Sequence, residues 1–503
     1  MPERTAAGVL RAGVLRDAAR GVDVRNPAPP PPAPELLDRI PAVLARRARA
    51  LPATFEDGVL RVRSVTGLDD DPDLDVLRLH VGAYDVIADQ DADTVRHLLR
   101  VYAHHTLPQV RTDPVALLDT VLDLAVGSEA SDVHLEPTAD GMRIRQRVDG
   151  DLHDVVHVPE TAVRALVART KVQAGLDASQ RRLPQDGHLR HAFPDGSMDV
   201  RVATMPTHSG ERVTLRLLPD GPNGVALSTL GLPDDTVHAL RRASHATDGL
   251  IIVCGPTGSG KTTTLHALLT LVTARARNVM TLEDPVERVV RGASQTQVDP
   301  EHGLTFATGL RHLLRHDPDV MMVGEIRDRD TARLAVDAAH TGHLVLTSLH
   351  AVDAPAALTR LVELGVTASL LADTVRLIVA QRLLALPCPD CATAARSHDC
   401  RHCSGTGTRG RRAIGELLEL DESLRALLRS GQNPAVHHAA LAAAVSPRLR
   451  DIALDRARRG LARGFDAAHA TPAATSVPSD VHPRDVPDTV LSGAPTGPTI
   501  PTR

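Results

Sequence analysis

Between residues 249 and 350 four short apolar runs, GLIIVC, NVMTLE, DVMMVGE and HLVLTSLH, alternate with stretches of helical periodicity such as TTLHALLTLVTARA and TARLAVDAAHT. Strand-sized apolar runs separated by helices predict a parallel sheet with crossover helices. From about 112 to 220 the pattern changes. SDVHLEP, MRIRQRV, MDVRVAT and RVTLRLL each alternate apolar with polar residues at period two, as strands do. Residues 41 to 104 intersperse short apolar segments with acidic turns such as GLDDDPDLD and read as a small α/β domain. NPAPPPPAPE, 26 to 35, is expected to be an extended linker unable to pack. After about 466 the chain is rich in Pro, Ala, Ser and Thr and is expected to be disordered. The expected divisions are therefore 1–40, 41–110, 111–225, 226–465 and a tail, 466–503. No fixed-period repeat interrupts this order.

Composition narrows the picture. A chain of 503 residues is too long for one core and suits two to four domains. Hydrophobic residues make up 42% but aromatics only 1%, with no Trp, so the cores must be built from Ala, Val and Leu. A net charge of −5 exerts no global pull toward nucleic acid or an anionic membrane. No apolar run approaches the ~20 residues that span a bilayer. The N-terminus, MPERTAAGVLRAGVLRDAARG, lacks the apolar centre of a secretory signal, so a cytoplasmic chain is expected. Four of the five cysteines cluster in CPDC and CRHC; in a reducing compartment such clustering points to metal and away from disulfides.

The strongest local signal is Gly255-Pro256-Thr257-Gly258-Ser259-Gly260-Lys261-Thr262-Thr263, which fits G-x-x-x-x-G-K-[ST] with a strand before it and a helix after it. Glycines let backbone N–H groups curl around phosphates, and the helix N-terminus adds partial positive charge. Of 57 basic residues only Lys171 and Lys261 are lysines. At 261 the compact ammonium fits between the β- and γ-phosphates of ATP, where a planar guanidinium is too large. Thr262 would hold Mg²⁺. The plain alternative is a Gly-rich turn at a helix start. NVMTLEDPVE places Glu283, Asp284 and Glu287 at a strand end facing the phosphate crevice, or else in a solvated acidic turn. In LLRHDPDVMMVGEIRD another strand delivers Glu325 to the same edge, where a glutamate can orient the attacking water. Gly324 stands where a metal-binding Asp is usual, and Asp319 lies at the strand's other end. Cys388-Pro-Asp-Cys391 and Cys400-Arg-His-Cys403 can close a tetrahedral Zn²⁺ site if they share one hairpin; otherwise they are four unliganded thiols.

GPTGSGKTTTL, TLEDPVE, LRHDPDVMMVGEIRD and TGHLVLTSLHA resemble, in order and spacing, the Walker A, Asp-box, Walker B and His-box segments of secretion ATPases. The branch they resemble most is the type II secretion and type IV pilus assembly ATPases, over residues 127 to 430. The resemblance implies a P-loop motor with a RecA-like parallel sheet, working as an ATP-driven homohexamer with one site at each subunit boundary. ASDVHLEP, RRLPQDGHLR, MDVRVATMPT and GERVTLRLL resemble the PAS-like α+β domain that precedes that motor. Arg201 and Arg216 then match the arginines that reach the γ-phosphate across the subunit interface, with Arg145 and Arg147 on the same arc. His343 and His350 match the His-box histidines, with Ala351-Val352 in place of the usual Thr-Asn. Residues 388–415 match the zinc subdomain, which in that family contacts an inner-membrane platform protein and marks assembly and export members. Residues 41–110 resemble the family's docking domain only in flavour.

The resulting expectation is an ATP hydrolase on the inner face of the cell membrane, held there by partners, that powers pilin or pseudopilin assembly and export. Three alternatives are a retraction- or conjugation-type ATPase, a nucleic-acid translocase, and a non-enzymatic ATP-binding scaffold. Against the translocase, six aromatics in the whole chain leave little for stacking on bases, and no nucleic-acid partner is expected.

Overall fold

The computed structural model describes residues 34–462 apart from 41–43, 45–49, 57–58, 65–80, 82–83, 89–91, 194–195, 219–225, 390, 392–399, 401–402, 404–405, 431–432 and 446. The acidic turn GLDDDPDLD, most of the Pro-rich linker and the 466–503 tail lie outside those residues.

The first body begins with a three-stranded sheet, β1 (Ala50–Glu56), β2 (Val59–Ser64) and β3 (Tyr84–Ala88), followed by a helix, Ala92–Val110. A second helix, Pro114–Gly127, starts where Asp113 accepts from the amides of Val115 and Ala116, with Pro114 at its first position. Then come β4 (Asp132–Thr138), β5 (Gly141–Val148), β6 (Asp151–Pro159), the helix Glu160–Gln173, β7 (Gln185–Phe193), β8 (Gly196–Thr207) and β9 (Gly210–Leu218). These strands form one antiparallel sheet in the order β6-β5-β4-β9-β8-β7. One cluster of buried side chains runs from Leu36, Leu37 and Ile40 through Leu99 and Leu118 to Leu215. The residues on either side of 110 therefore share a core, and Leu36, Leu37 and Ile40 contribute to it.

Lys171, the other lysine, is fully buried here. Its Nζ donates to a Glu211 carboxylate oxygen at 2.6 Å and to the Gln180 carbonyl. A slim stem ending in a point charge reaches both; breaking such a pair by removing one partner costs about 3–5 kcal/mol.

The second body is built on β10 (Gly249–Cys254), β11 (Val279–Glu283), β12 (Ala293–Gln297), β13 (Val320–Val323), β14 (Leu344–Leu349), β15 (Val375–Pro387) and β16 (Thr408–Glu419). The sheet order is β12-β11-β13-β14-β10-β15-β16; every pair is parallel except β15 with β16. The four predicted runs are its central strands. Leu250, Ile252 and Cys254 of β10 join the core on one face, and Ile251 and Val253 the core on the other. Burial on both faces is why these strands read as continuous apolar runs. β15 and β16, absent from the sequence-based reading, make a long hairpin whose tip carries all four clustered cysteines.

The bodies touch beside that tip. Asp149, in the β5–β6 turn at φ 52°, accepts from the Gly410 amide at 2.9 Å. Among the described residues no helix is long and apolar enough to cross a membrane.

Candidate nucleotide-binding edge and cysteine tip

Parallel pairing sends the C-terminal ends of β10, β11, β13 and β14 to one edge of the sheet, which is where α/β sheets bind ligands. The glycine loop leaves β10 there and turns directly into the helix Lys261–Thr273. Its turns need glycine: Gly258 and Gly260 have φ of 77° and 86°. A Cβ on Gly260 would come within 2.8 Å of the Gln381 amide nitrogen. Ser259 Oγ is buried with no hydrogen-bond partner among the described residues, which suits a loop shaped around an anion. Lys261 Nζ donates to the carbonyls of Gly255 and Pro256, both at 3.0 Å, so the ammonium already lies over the loop. Burial lowers its pKa, and Glu325 nearby partly opposes that. Thr262 sits half-buried on the helix's first turn and Thr263 is exposed beside it.

Glu325 is held from two sides. His350 Nε2 lies 2.7 Å from one carboxylate oxygen, and Arg327 donates to the other at 2.8 Å. Arg327 also reaches Asp284 at 3.4 Å. β13 and β14 bring these groups together. Ser348 Oγ donates to the Gly324 carbonyl at 2.7 Å, and the Ile326 amide to the Ser348 carbonyl at 3.1 Å. Gly324 has little room for an acid: a Cβ there would sit 3.2 Å from the Leu282 carbonyl. Asp319 is at the far end of β13, accepting from the Asn278 amide at 2.7 Å.

Two predicted site residues are placed differently. His343 precedes β14 at its N-terminal end, where the Gly249 amide donates to its carbonyl and its ring faces the Ala338 carbonyl at 3.0 Å. One strand length, roughly 20 Å, separates it from the loop edge. His350 is the histidine that reaches the site. Glu283 ends β11 but is buried, accepting from Thr281 Oγ1 at 2.7 Å and Gln295 Nε2 at 2.8 Å, with His266 Nε2 at 2.9 Å. Burial pushes its pKa upward, yet these hydrogen bonds outweigh that and keep it below the usual carboxylate range. Its carboxylate is fully committed to tying the loop helix to β11 and β12. Glu287 is exposed in the segment that follows.

Gln381, Arg382 and Arg327 went unnoticed in the sequence. Gln381 Nε2 donates to the Ser259 carbonyl at 2.8 Å, while Arg382 donates to the Val352 carbonyl at 2.6 Å. The available signal was a polar pair inside the apolar run VRLIVAQRLLALP.

On the antiparallel sheet, five residues stand directly opposite one another in register: Arg147, Asp132, Arg216, Arg201 and His188. Directly opposed residues share a sheet face. Asp132 accepts from Arg216 at 3.0 Å and lies 3.9 Å from Arg147, while Arg201 has no ion pair among the described residues. Two guanidiniums therefore share one carboxylate and the third has none, leaving excess positive charge on this row. Arg145 is excluded from it, since Glu136 binds Arg145, Arg143 and Arg212 at 2.8, 3.1 and 2.9 Å.

At the hairpin tip the Sγ atoms of Cys388 and Cys400 are 3.6 Å apart and those of Cys391 and Cys403 3.4 Å, with all four within 4.8 Å of one another. Tetrahedral Zn–S bonds of about 2.3 Å require sulfurs roughly 3.8 Å apart, so the tetrad fits. The Gly407 amide donates to Cys403 Sγ at 3.2 Å, as suits a thiolate. Without a cation, burial and then hydrogen bonds with Cys403 and Cys400 push Cys391 up to about 11. A divalent ion reverses that cost by deprotonating the thiols.

Residues 111–468 match the family described as type II/IV secretion system protein. The type II secretion system protein HxcR of Pseudomonas aeruginosa is 43% identical over 322 residues, 63% of this chain and 69% of that one. The type II secretion system ATPase E of Vibrio cholerae is 40% identical over 370 residues, 69% and 73% of the two chains. Among solved structures, the pilus retraction motor PilT with bound ADP is similar at TM-score 0.51 and 25% identity, covering 72% of this chain and 98% of that one. The Legionella pneumophila ATPase DotB is similar in fold at TM-score 0.56 and 24% identity, covering 71% and 95%.

Proposed function

We propose, starting from the fact that this chain belongs to the type II/IV secretion system protein family, that it hydrolyses ATP at the loop edge and that the energy drives pilin-like subunit assembly and export at an inner-membrane machine. The observation that carries the reading is Glu325, clamped between His350 and Arg327 beside the Lys261 loop. Loop amides and Lys261 bind the phosphates. Thr262 would hold Mg²⁺, which would neutralise phosphate charge, and exposed Glu287 is available to its water shell. Glu325 accepts a hydrogen bond from the attacking water and aligns it. His350 senses the phosphate through that same carboxylate.

Arg327, on the same body, is spent on Glu325 and Asp284, so the reacting phosphate needs guanidinium donors from elsewhere. The row of Arg201, Arg216 and Arg147 supplies them when the antiparallel sheet of one subunit closes on the loop edge of its neighbour. This arrangement calls for a ring, a homohexamer in our reading, on the cytoplasmic side of the membrane, where the cysteine tip contacts a platform protein. Zn²⁺ on Cys388, Cys391, Cys400 and Cys403 would cross-link that tip.

Glu325→Gln keeps the size of the side chain but removes the charge that aligns water. ATP turnover with Mg²⁺ should fall about 10²–10⁴-fold while ATP affinity stays within a few fold. Wild-type turnover in this variant would overturn the assignment. Cys400→Ser should remove stoichiometric zinc, measured by atomic absorption, and open 388–407 to proteolysis without loss of ATP binding.

A further inference from the structure

We propose that Gln381 is a positioning residue for the phosphate-binding loop, one that aims the Gly260 N–H into the phosphate hollow. The inference rests on the nucleotide reading above and adds a residue outside the glycine motif by more than a hundred positions.

β15 runs beside β10 in register, Val253 opposite Val379 and Cys254 opposite Ala380. Gln381 therefore emerges one step beyond the end of β10, directly against the loop. Its side chain is 1% exposed. Nε2 donates to the Ser259 carbonyl at 2.8 Å, and Oε1 accepts from Thr264 Oγ1 at 2.7 Å. Thr264 lies on the helix that follows the loop, so one amide bridges loop and helix. The two bonds also fix the amide's orientation. Turning it over would set its oxygen against the Ser259 carbonyl oxygen.

The consequence follows from peptide geometry. The Ser259 carbonyl and the Gly260 N–H belong to one planar trans unit and point in opposite directions. Holding the carbonyl on Gln381 directs the N–H the other way, into the concave side of the loop. The residue's backbone acts as well. A Cβ on Gly255 would meet the Gln381 carbonyl oxygen at 2.6 Å, so Gln381 crowds two loop positions whose positive φ already favours glycine. Arg382 hydrogen-bonds that same carbonyl at 2.9 Å and the Val352 carbonyl at 2.6 Å. Consecutive residues of β15 thereby register the phosphate loop against the segment that follows His350.

The experiment measures the dissociation constant of a fluorescent ATP analogue for wild type, Lys261→Ala, Gln381→Leu and Gln381→Glu at pH 8 and pH 6, with turnover alongside. Gln381→Leu keeps the volume and loses both bonds; it should bind about ten- to a hundredfold more weakly, with kcat at saturating ATP changed much less. Gln381→Glu sets a carboxylate against the Ser259 carbonyl at pH 8 and should bind as poorly. Burial raises the pKa of that glutamate, so acid restores a neutral group whose O–H donates to Ser259 while the other oxygen accepts from Thr264. Its affinity relative to wild type should recover at pH 6, and that of Gln381→Leu should not. Loss of packing alone would not produce this acid-dependent rescue. Wild-type affinity in Gln381→Leu, or no relative recovery in Gln381→Glu, overturns the proposal. A wild-type chain that binds no ATP would sink the nucleotide reading instead. Hydrogen exchange of the Gly260 amide in nucleotide-free protein then decides on the clamp, which requires faster exchange in Gln381→Leu.

Discussion

Arg201→Ala and Arg216→Ala should each lower ATP turnover by about 10³-fold or more, the range for arginines that reach a transferring phosphate, equivalent to roughly 4–7 kcal/mol of barrier. ATP affinity changes little, because the donors engage only when charge develops on the phosphate. The geometry separates the two. Arg216 already shares Asp132 with Arg147, whereas Arg201 has no ion pair among the described residues. Asp132→Ala should therefore impair turnover less than either arginine variant does, since it releases guanidiniums and removes none. The decisive measurement mixes Arg201→Ala with Glu325→Gln subunits. Each is inactive alone, and a ring containing both restores sites in which an intact arginine row faces an intact Glu325. Mixtures no more active than the separate variants would place the arginines elsewhere.

Lys261→Ala should weaken ATP binding by about 10²-fold or more, since charged hydrogen bonds contribute roughly 1.5–3 kcal/mol each. The fold should survive. Among the described residues Lys261 Nζ hydrogen-bonds only the carbonyls of Gly255 and Pro256, and burial already disfavours its charge, so truncation breaks no buried ion pair there. Lys261→Arg should also bind poorly, because the loop's concavity admits a point charge and not a planar fork. Calorimetric titration with ATP, with the melting temperature as a control, reads both effects. Wild-type affinity in Lys261→Ala would remove the site from this loop.

The central strands were legible because burial on both faces writes itself as uninterrupted apolar runs, as in β10 and β14. The glycine loop was legible because its backbone demands glycine at fixed spacing. What escaped were groups whose meaning depends on distant neighbours. Gln381 is one polar residue in an apolar run until β15 is set beside β10. The sequence favours His343 over His350, since Ala351-Val352 replaces the usual Thr-Asn after the latter, and only strand direction shows that they lie at opposite ends of β14. Glu283 sits at the right edge of the sheet, but His266, Thr281 and Gln295 turn its carboxylate inward. The boundary at 110 looked natural from the change in periodicity. The helices on either side of it nevertheless pack into one core, since contacts between neighbouring helices are not visible in strand patterning.

Cys254 ends β10 with no exposed surface, its thiol against the Asp353 carbonyl at 3.6 Å, and burial drives its pKa strongly upward. An alkylating reagent that needs a thiolate is thereby shut out while the strand stays in place. Mass spectrometry of iodoacetamide-treated protein becomes a gauge of two separate events. A chelator that strips the proposed Zn²⁺ from the hairpin tip should admit adducts on that tip alone, and an adduct on Cys254 reports that the sheet itself has come apart.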